Sequence, residues 1–461
     1  MLQKVQPNVW RQLRHHTRAS RAYTDAQLRS SEQSCTVADG AIARIDIAHL
    51  PANHPTEDYY AAAKCFSSEA FLFGVFDGHG GGVCSRYIST RLFDYISASI
   101  LKKHVITDLP IRDRLHWFFT NGDLFDEIYR ILPCFREKHL ENIKKFHKEV
   151  VDDSTMTTVR KALEVSFNAC DSDMSANALN EECSELSKQY AGMVMAGSCA
   201  TIAHIRGVNL NVANVGDSAA VLGLHNRGVI SAMPLSKSHC VDNADEVVQR
   251  IRDAHPPSET NNVIIGGRLF GELFPFRAFG DVRYKWSAEL QKKIFGTDYH
   301  SVPYGMNTPP YLSCLPEVLY HKLTPNDHFM VLATDGLWDC LDPDTVVRLV
   351  FDHTLGMQTL TPYTPFAGTT LAQVHEDLKQ RLDRTRKKPL DENSATHLLR
   401  HALGGPGEVS AQYLRLIEML QLPPDVTRRY RDDITIIVIH FDQNYLHDPK
   451  LPESLKIQPR I

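Results

Sequence analysis

Phe71-Leu72-Phe73-Gly74-Val75-Phe76-Asp77-Gly78-His79-Gly80-Gly81 is the stretch on which the reading of this chain turns. An apolar run closed by turn residues reads as a buried strand, and this one delivers Asp77 directly to its end. Two other runs behave in a related way. Phe329–Ala333 leads into Thr334-Asp335-Gly336-Leu337-Trp338-Asp339, and Ile434–Phe441 is entered through Arg431-Asp432-Asp433. If the last strand runs antiparallel to the other two, Asp77, Asp335 and Asp432 meet at one end of a sheet. Like charges so gathered repel unless cations neutralise them. Carboxylate oxygens favour Mg²⁺ or Mn²⁺ over zinc, and the small residues after Asp77 let the carbonyl of Gly78 join the ligands. Two ions bridged by one aspartate would lower the pKa of a water between them and clamp phosphoryl oxygens. His79, at the rim, is placed to give a proton to a leaving alkoxide. Taken singly, an Asp-Gly after a strand is most often an ordinary turn. The weight rests on three such aspartates and on the acidic pair Glu57-Asp58 upstream.

The surrounding chain reads as a mixed α/β domain. Leu210–Val215 is a fourth buried strand, and Ile88, Leu92, Ile96 and Ile100 recur at helical spacing. Asn243, with Glu246 three residues on, reads as the cap of a helix ending before Pro256. Ser394 reads as the cap of Ala395–Leu403, closed by Gly404 and Gly405. The long mixed stretch 101–195 reads as a helical insertion between core strands. We expect a linker over 25–45, one catalytic domain over 46–445 and a frayed tail over 446–461. No internal repeat or low-complexity tract interrupts this order.

Composition narrows the possibilities. The chain has 461 residues and a net charge of −5, but no acidic residue precedes Asp25. Lys4, Arg11, Arg14, Arg18 and Arg21 give that start +5, which leaves −10 for the remainder. Leu2, Val5, Val9 and Leu13 fall on one helical face and the arginines on the other. An Arg-rich, acid-free amphipathic start predicts a mitochondrial transit peptide over 1–24, with Arg21-Ala22-Tyr23 at its end. The acidic body argues against a nucleic-acid grip, and no apolar run is long enough to span a membrane. The 10 cysteines form no C-x-x-C pair, which argues against a structural zinc site. None has an arginine six residues on, which excludes a cysteine-nucleophile phosphatase of the C-x5-R kind. Walker A and protein-kinase signatures are absent, and no glycine-rich loop follows the first strand as a dinucleotide fold would require.

Five segments occur together: Phe73–Gly81, Gly197-Ser198-Cys199-Ala200-Thr201, Val212-Ala213-Asn214-Val215-Gly216-Asp217-Ser218, Ala333–Asp339, and Arg431-Asp432-Asp433-Ile434-Thr435. In this order they resemble the type 2C metal-dependent protein serine/threonine phosphatases, across roughly residues 46–445. The resemblance implies an α/β sandwich, two central antiparallel β-sheets flanked by helices, with a two-metal site at one end. It implies that Asp77 bridges two Mg²⁺ or Mn²⁺ ions, with Gly78, Asp335 and Asp432 completing the ligands. Glu57 and Asp58 would hold metal-bound waters, and His79 would be the general acid. Asp217 and Asp339 would serve a weaker third ion, although the Gly216-Asp217-Ser218 bend is by itself sufficient reason for Asp217.

One position departs from the family. Members carry a phosphate-binding arginine where this chain has Asn53, and an amide lacks the charge-assisted fork of a guanidinium. The mitochondrial pyruvate dehydrogenase phosphatases of the family share this substitution. They also resemble the chain in Leu50–Asn53, Pro275–Val282, Thr308–Leu312 and Ala395–Ala402. That resemblance implies hydrolysis of phosphoserine on pyruvate dehydrogenase in the mitochondrial matrix, by metal-bound hydroxide and without a phosphoenzyme. It further implies docking on the lipoyl domains of the acetyltransferase core, Ca²⁺ at that interface, and a regulatory subunit. The alternatives are a type 2C phosphatase for another phosphoprotein and an inactive phosphatase-like scaffold.

Overall fold

In Ala70–Phe76 every residue is buried, so the strand shows no polar alternation; a strand covered on both faces has no reason to alternate. The computed structural model describes residues 21–66, 68–100, 114–119, 133–180, 184–240, 245–296, 302–358, 363, 365, 368–384, 389–405 and 409–448. Among these, the strands of the two large sheets are β1 (Gln33–Asp39), β2 (Ile42–Leu50), β3 (Tyr59–Cys65), β4 (Ala70–Phe76), β5 (Leu115–Trp117), β6 (Ala200–Arg206), β7 (Asn209–Val215), β8 (Ala219–Asn226), β9 (Val229–Pro234), β10 (Glu317–Lys322), β11 (Asp327–Ala333) and β12 (Ile434–Phe441). One sheet has the order β1-β2-β12-β11-β8-β9 and the other β10-β7-β6-β4-β3-β5. Neighbours run antiparallel throughout both.

The two sheets stack, and the period of two in each strand decides which side chain goes where. From β4, Phe71, Phe73 and Val75 enter the layer between the sheets, as do Ile437 and Ile439 of β12. Leu72 and Phe76 face the opposite way, into a cluster with helices α2 (Val83–Ile100), α3 (Pro133–Asp152), α4 (Val159–Ala178) and α5 (Ser184–Met195). Ile434, Ile436 and Val438 of β12 face a third layer of helices: α1 (Arg21–Leu28), α6 (Pro343–Gln358), α7 (Ser394–Gly404) and α8 (Val409–Leu420). The expected sandwich of antiparallel sheets between helices is therefore what the chain forms. A fourth, smaller cluster gathers Ile251, Val263, Phe270, Phe276 and Tyr311 beside it. No helix among the described residues is long and apolar enough to cross a membrane.

Several local expectations change. Ile88, Leu92 and Ile96 are buried in α2 as the spacing predicts, but so are Tyr87, Phe93, Tyr95 and Ala98. The described helices of the 101–195 stretch, α3 to α5, cover the flank that would otherwise face water. Residues 25–45 are not a linker. They hold the second half of α1, all of β1 and the start of β2, and Leu28, Ala41, Ile42 and Ile45 are core residues. The polar composition misled because β1 is an edge strand with one exposed face. Of the leader expected over 1–24, residues 1–20 lie outside the described residues, and 21–24 begin α1, where Thr24 is buried. At the other end the core reaches the first residue of the tail expected over 446–461: Leu446 is buried in a short helix that Asp442 caps. The helix expected from Asn243 is Asp245–Ala254, with Asn243 itself outside the described residues. The cap of α7 is Asn393, not Ser394; Asn393 accepts from the Thr396 N–H, while the Ser394 N–H donates to Asp46.

A buried ionic cluster ties α1 to α7. Arg400 grips Asp391 through Nε and Nη2, both at 2.7 Å, and Asp25 through Nη1 at 2.8 Å. Burial alone would raise the pKa of Asp391, but the hydrogen bonds and charge of Arg400, helped by Arg29, bring it below the usual value. Removing the guanidinium leaves the buried Asp391 carboxylate with the more exposed Arg29, at 3.2 Å, as its remaining cationic partner. We therefore expect Arg400→Met to cost about 3 kcal/mol in denaturant unfolding. Because the folded-state pKa of Asp391 is depressed, its stabilising contribution is complete above the ordinary carboxylate pKa. It fades as the pH falls below about 4. In Arg400→Met this part of the acid sensitivity should shrink to what Arg29 alone sustains.

Candidate metal centre

Antiparallel pairing of β11 with β12 brings the exit of one strand beside the entry of the other. Ala333 pairs with Ile436, and the next N–H, of Thr334, donates to the carbonyl of Thr435 at 3.1 Å. That register sets Asp335 and Asp432 at the same end of the sandwich. Asp77 reaches it from β4 of the opposing sheet, and the Asp335 N–H lies 3.4 Å from Asp77 Oδ2. The turn between β7 and β8 adds Asp217, where Gly216 takes φ +96°. A side chain at Gly216 would run into Cys199. Carboxylate oxygens of Asp77, Asp217 and Asp335 lie within 4.8 Å of one another.

This convergence is electrostatically costly. Burial first, then the charges of Asp335, Asp58, Asp217 and Asp432, push the pKa of Asp77 well above the carboxylate range. Asp335 is raised in the same way by burial and by Asp217, Asp432 and Asp339. Asp339 is raised by burial and by Asp217. Such a set of hard oxygen donors on stiff strand ends fits a divalent cation. Asp432 stands apart in its contacts. Burial raises it too, yet its Oδ2 pairs with Arg428 Nη2 at 2.7 Å and its Oδ1 accepts from the Asp433 N–H at 2.8 Å. So the tight group contains Asp217, which the sequence placed in an outer role, and Asp432 lies at its edge.

Asp433, one residue on, does the opposite job. Its carboxylate accepts from the backbone N–H groups of Ala52, Asn53 (2.8 Å) and Glu57 (2.7 Å) and from the Thr56 hydroxyl (2.9 Å). Burial would raise its pKa, but these donors hold it below the usual value. The 52–58 loop is thereby locked onto β12. It presents Asn53, whose Nδ2 donates to Glu57 Oε2 at 3.1 Å and to Asp433 Oδ2 at 3.4 Å. Glu57 Oε1 accepts from the Gly81 N–H. Asp58 is buried beneath the cluster, where the hydroxyls of Thr334 (2.7 Å) and Thr435 (2.8 Å) donate to its Oδ2. Burial and the nearby Asp433 charge raise its pKa well above normal. Gly78 cannot be larger, because a Cβ there would collide with the Glu57 carbonyl and the Ser85 hydroxyl.

His79 lies in a small sheet that joins residues 78–79, 197–198 and 279–280. Its Nε2 is 2.6 Å from Asp281 Oδ2. Burial pulls the imidazole pKa down, but Asp281, Asp217 and Glu57 together bring it above its ordinary value. Gly197 leaves the room for this pair, since any Cβ would strike both side chains. Asp281 is set by its own contacts: φ is +50° and its N–H donates to the Ala196 carbonyl at 3.1 Å. Sequence reasoning quoted Asp281 and Asp433 within motifs but assigned neither a role. Their signal was weak, because both act through partners distant in the chain.

The class of protein follows from fold and family together. The chain matches the family description protein phosphatase 2C over residues 134–367, and it belongs to that family. It is thus a metal-dependent phosphoprotein phosphatase. Among its relatives, human pyruvate dehydrogenase (acetyl-transferring) phosphatase 1, mitochondrial, is 38% identical over 88% of this chain and 78% of its own length. Human phosphatase 2 of the same name is 37% identical over 93% of this chain and 84% of its own. The phosphatase 1 of Saccharomyces cerevisiae is 29% identical over 90% of this chain and 72% of its own.

Two outcomes follow for the site. Carboxylates whose pKa values are raised by mutual repulsion give up protons when a cation takes their place. Mn²⁺ titration near pH 6 is expected to release protons, read as a calorimetric enthalpy that changes with the ionisation enthalpy of the buffer. Asp433→Ala strands several loop N–H groups at once. It should lower stability by about 3 kcal/mol and expose the 52–58 amides to hydrogen exchange.

Proposed function

We propose that this phosphatase removes phosphate from phosphoserine on pyruvate dehydrogenase in the mitochondrial matrix. What carries the reading is the likeness, along nearly the whole chain, to enzymes named for that activity and that organelle. The Arg-rich start supports the compartment independently. In this reading Asp77, the Gly78 carbonyl, Asp335 and Asp432 hold two Mg²⁺ or Mn²⁺ ions, Glu57 and Asp58 order water around them, and Asp217 and Asp339 serve a third. Bound there, the ions supply an acidified water and neutralise phosphoryl oxygens. The chain's own part is to orient and to move a proton. Since His79 Nε2 is engaged by Asp281, Nδ1 is the ring atom assigned to donate the proton to the leaving seryl oxygen. Asn53 stiffens the loop through Glu57 and Asp433 and carries no charge to the phosphate. Lipoyl domains of the acetyltransferase core, Ca²⁺ at that contact and a regulatory subunit complete the proposed partners, in keeping with the pyruvate dehydrogenase phosphatases that the chain resembles.

The deciding experiment is Mg²⁺-dependent release of phosphate from intact phosphorylated pyruvate dehydrogenase complex, with and without Ca²⁺. Release at a rate well above that for an unrelated phosphoserine protein is expected; equal rates would reject the substrate. Asp77→Asn should reduce release at least 100-fold and abolish Mn²⁺ binding in the calorimeter.

A further inference from the structure

A phosphoryl group arriving at a ring of ion-loaded carboxylates is gripped more tightly where a protein cation also meets its oxygens. Asn53 has none to offer, and its amide is already engaged by Glu57 and Asp433. Arg431 is close but committed to backbone: Nη2 donates to the Pro51 carbonyl at 2.6 Å, and Nη1 to those of Leu50 at 3.3 Å and Asp432 at 3.2 Å. Lys285 is held by Asp171 at 2.7 Å. Arg428 differs from both. It follows the short helix Pro424–Thr427, and its Nη2 lies 2.7 Å from Asp432 Oδ2. Its side chain is 54% exposed against 23% for Asp432, so the guanidinium is the more open member of the pair. Its charge also acts on Asp339, lowering a carboxyl that burial and Asp217 raise. One guanidinium therefore pairs with Asp432 and adds its charge to the field at Asp339, and a guanidinium has five donors to share.

We propose that Arg428 is the substrate-binding cation of this site, contacting the phosphoryl oxygens of phosphoserine in the role for which Asn53 lacks the charge. The inference rests on the phosphatase reading given above. A divalent ion that takes up the charge of Asp432 weakens that carboxylate as a partner for Arg428. The doubly charged phosphate then becomes the stronger attractor, and its oxygens suit the planar fork. The same pairing keeps Asp432 neutralised while no ion is bound.

The test uses full-length, Mn²⁺-loaded protein, with inorganic phosphate as calorimetric ligand and competitive inhibitor and a phosphoserine peptide as substrate. Arg428→Ala is expected to weaken phosphate binding and raise the peptide KM about tenfold each, with a smaller change in kcat. Arg428→Lys should recover part of the loss, as a point charge without the fork. Mn²⁺ affinity, measured in the absence of phosphate, should be unchanged or tighter in Arg428→Ala, because Asp432 is released. Unaltered phosphate binding overturns the proposal. So does Mn²⁺ binding weakened tenfold, which would make Arg428 a holder of Asp432 instead. Wild-type protein without Mn²⁺-dependent phosphate release from the peptide would reject the parent reading. An active wild type whose phosphate affinity Arg428→Ala leaves unmoved rejects this inference alone.

Discussion

Mutual repulsion among carboxylates at one end of the sandwich is the constraint on which the rest of the structure depends. Asp77, Asp217 and Asp335 come within 4.8 Å of one another on backbone that cannot easily yield. Flexible loops would let such charges drift apart. Strand ends joined by antiparallel ladders hold them, and the burial of β4, β11 and β12 in three apolar layers supplies the rigidity. The energy of packing is in this sense converted into a standing affinity for cations, because an ion relieves what the fold enforces.

The contrast between Asp432 and Asp433 shows how finely that strain is distributed. Two adjacent aspartates have opposite fates. Burial, with the nearby charges of Asp433 and Glu57, raises the pKa of Asp432, while Asp433 collects backbone N–H groups and its pKa is lowered. Successive residues of an extended chain point to opposite sides, so one step along the segment that enters β12 separates the ion-binding side from the side that anchors the 52–58 loop. Asp58 shows a third solution, a buried carboxyl stabilised by the threonine hydroxyls of Thr334 and Thr435. Thr435 lies on β12 and Thr334 directly follows β11, so one ladder both positions the acidic site and satisfies its support.

The helical region adds a second line of support. Asp171 of α4 accepts from the Gly280 N–H at 2.8 Å and pairs with Lys285 at 2.7 Å. That fixes the segment carrying Asp281, which in turn holds His79, 202 positions earlier in the chain. None of this was legible from spacing. The three strand-end aspartates could be read because each announces itself locally, as an acid at the limit of an apolar run. Asp281 and Asp171 announce nothing, since their partners are remote and their neighbours ordinary. The false linker over 25–45 has the same origin. An edge strand with one wet face is polar in composition, and only its pairing with β2 makes it part of the sheet.

The sequence by itself marked the buried strands and the aspartates at their ends, through hydrophobic period and turn chemistry that act over a few residues, and the sandwich class came with the resemblance of its ordered motifs to a known family. Tertiary structure alone decided which aspartates form the tight group, why Asp217 belongs to it and Asp432 sits at its edge against Arg428. It alone decided that Asn53 serves its own loop. Those outcomes depend on distances across two sheets and on competition among charges in a common low-dielectric space, and no local pattern of residues encodes either.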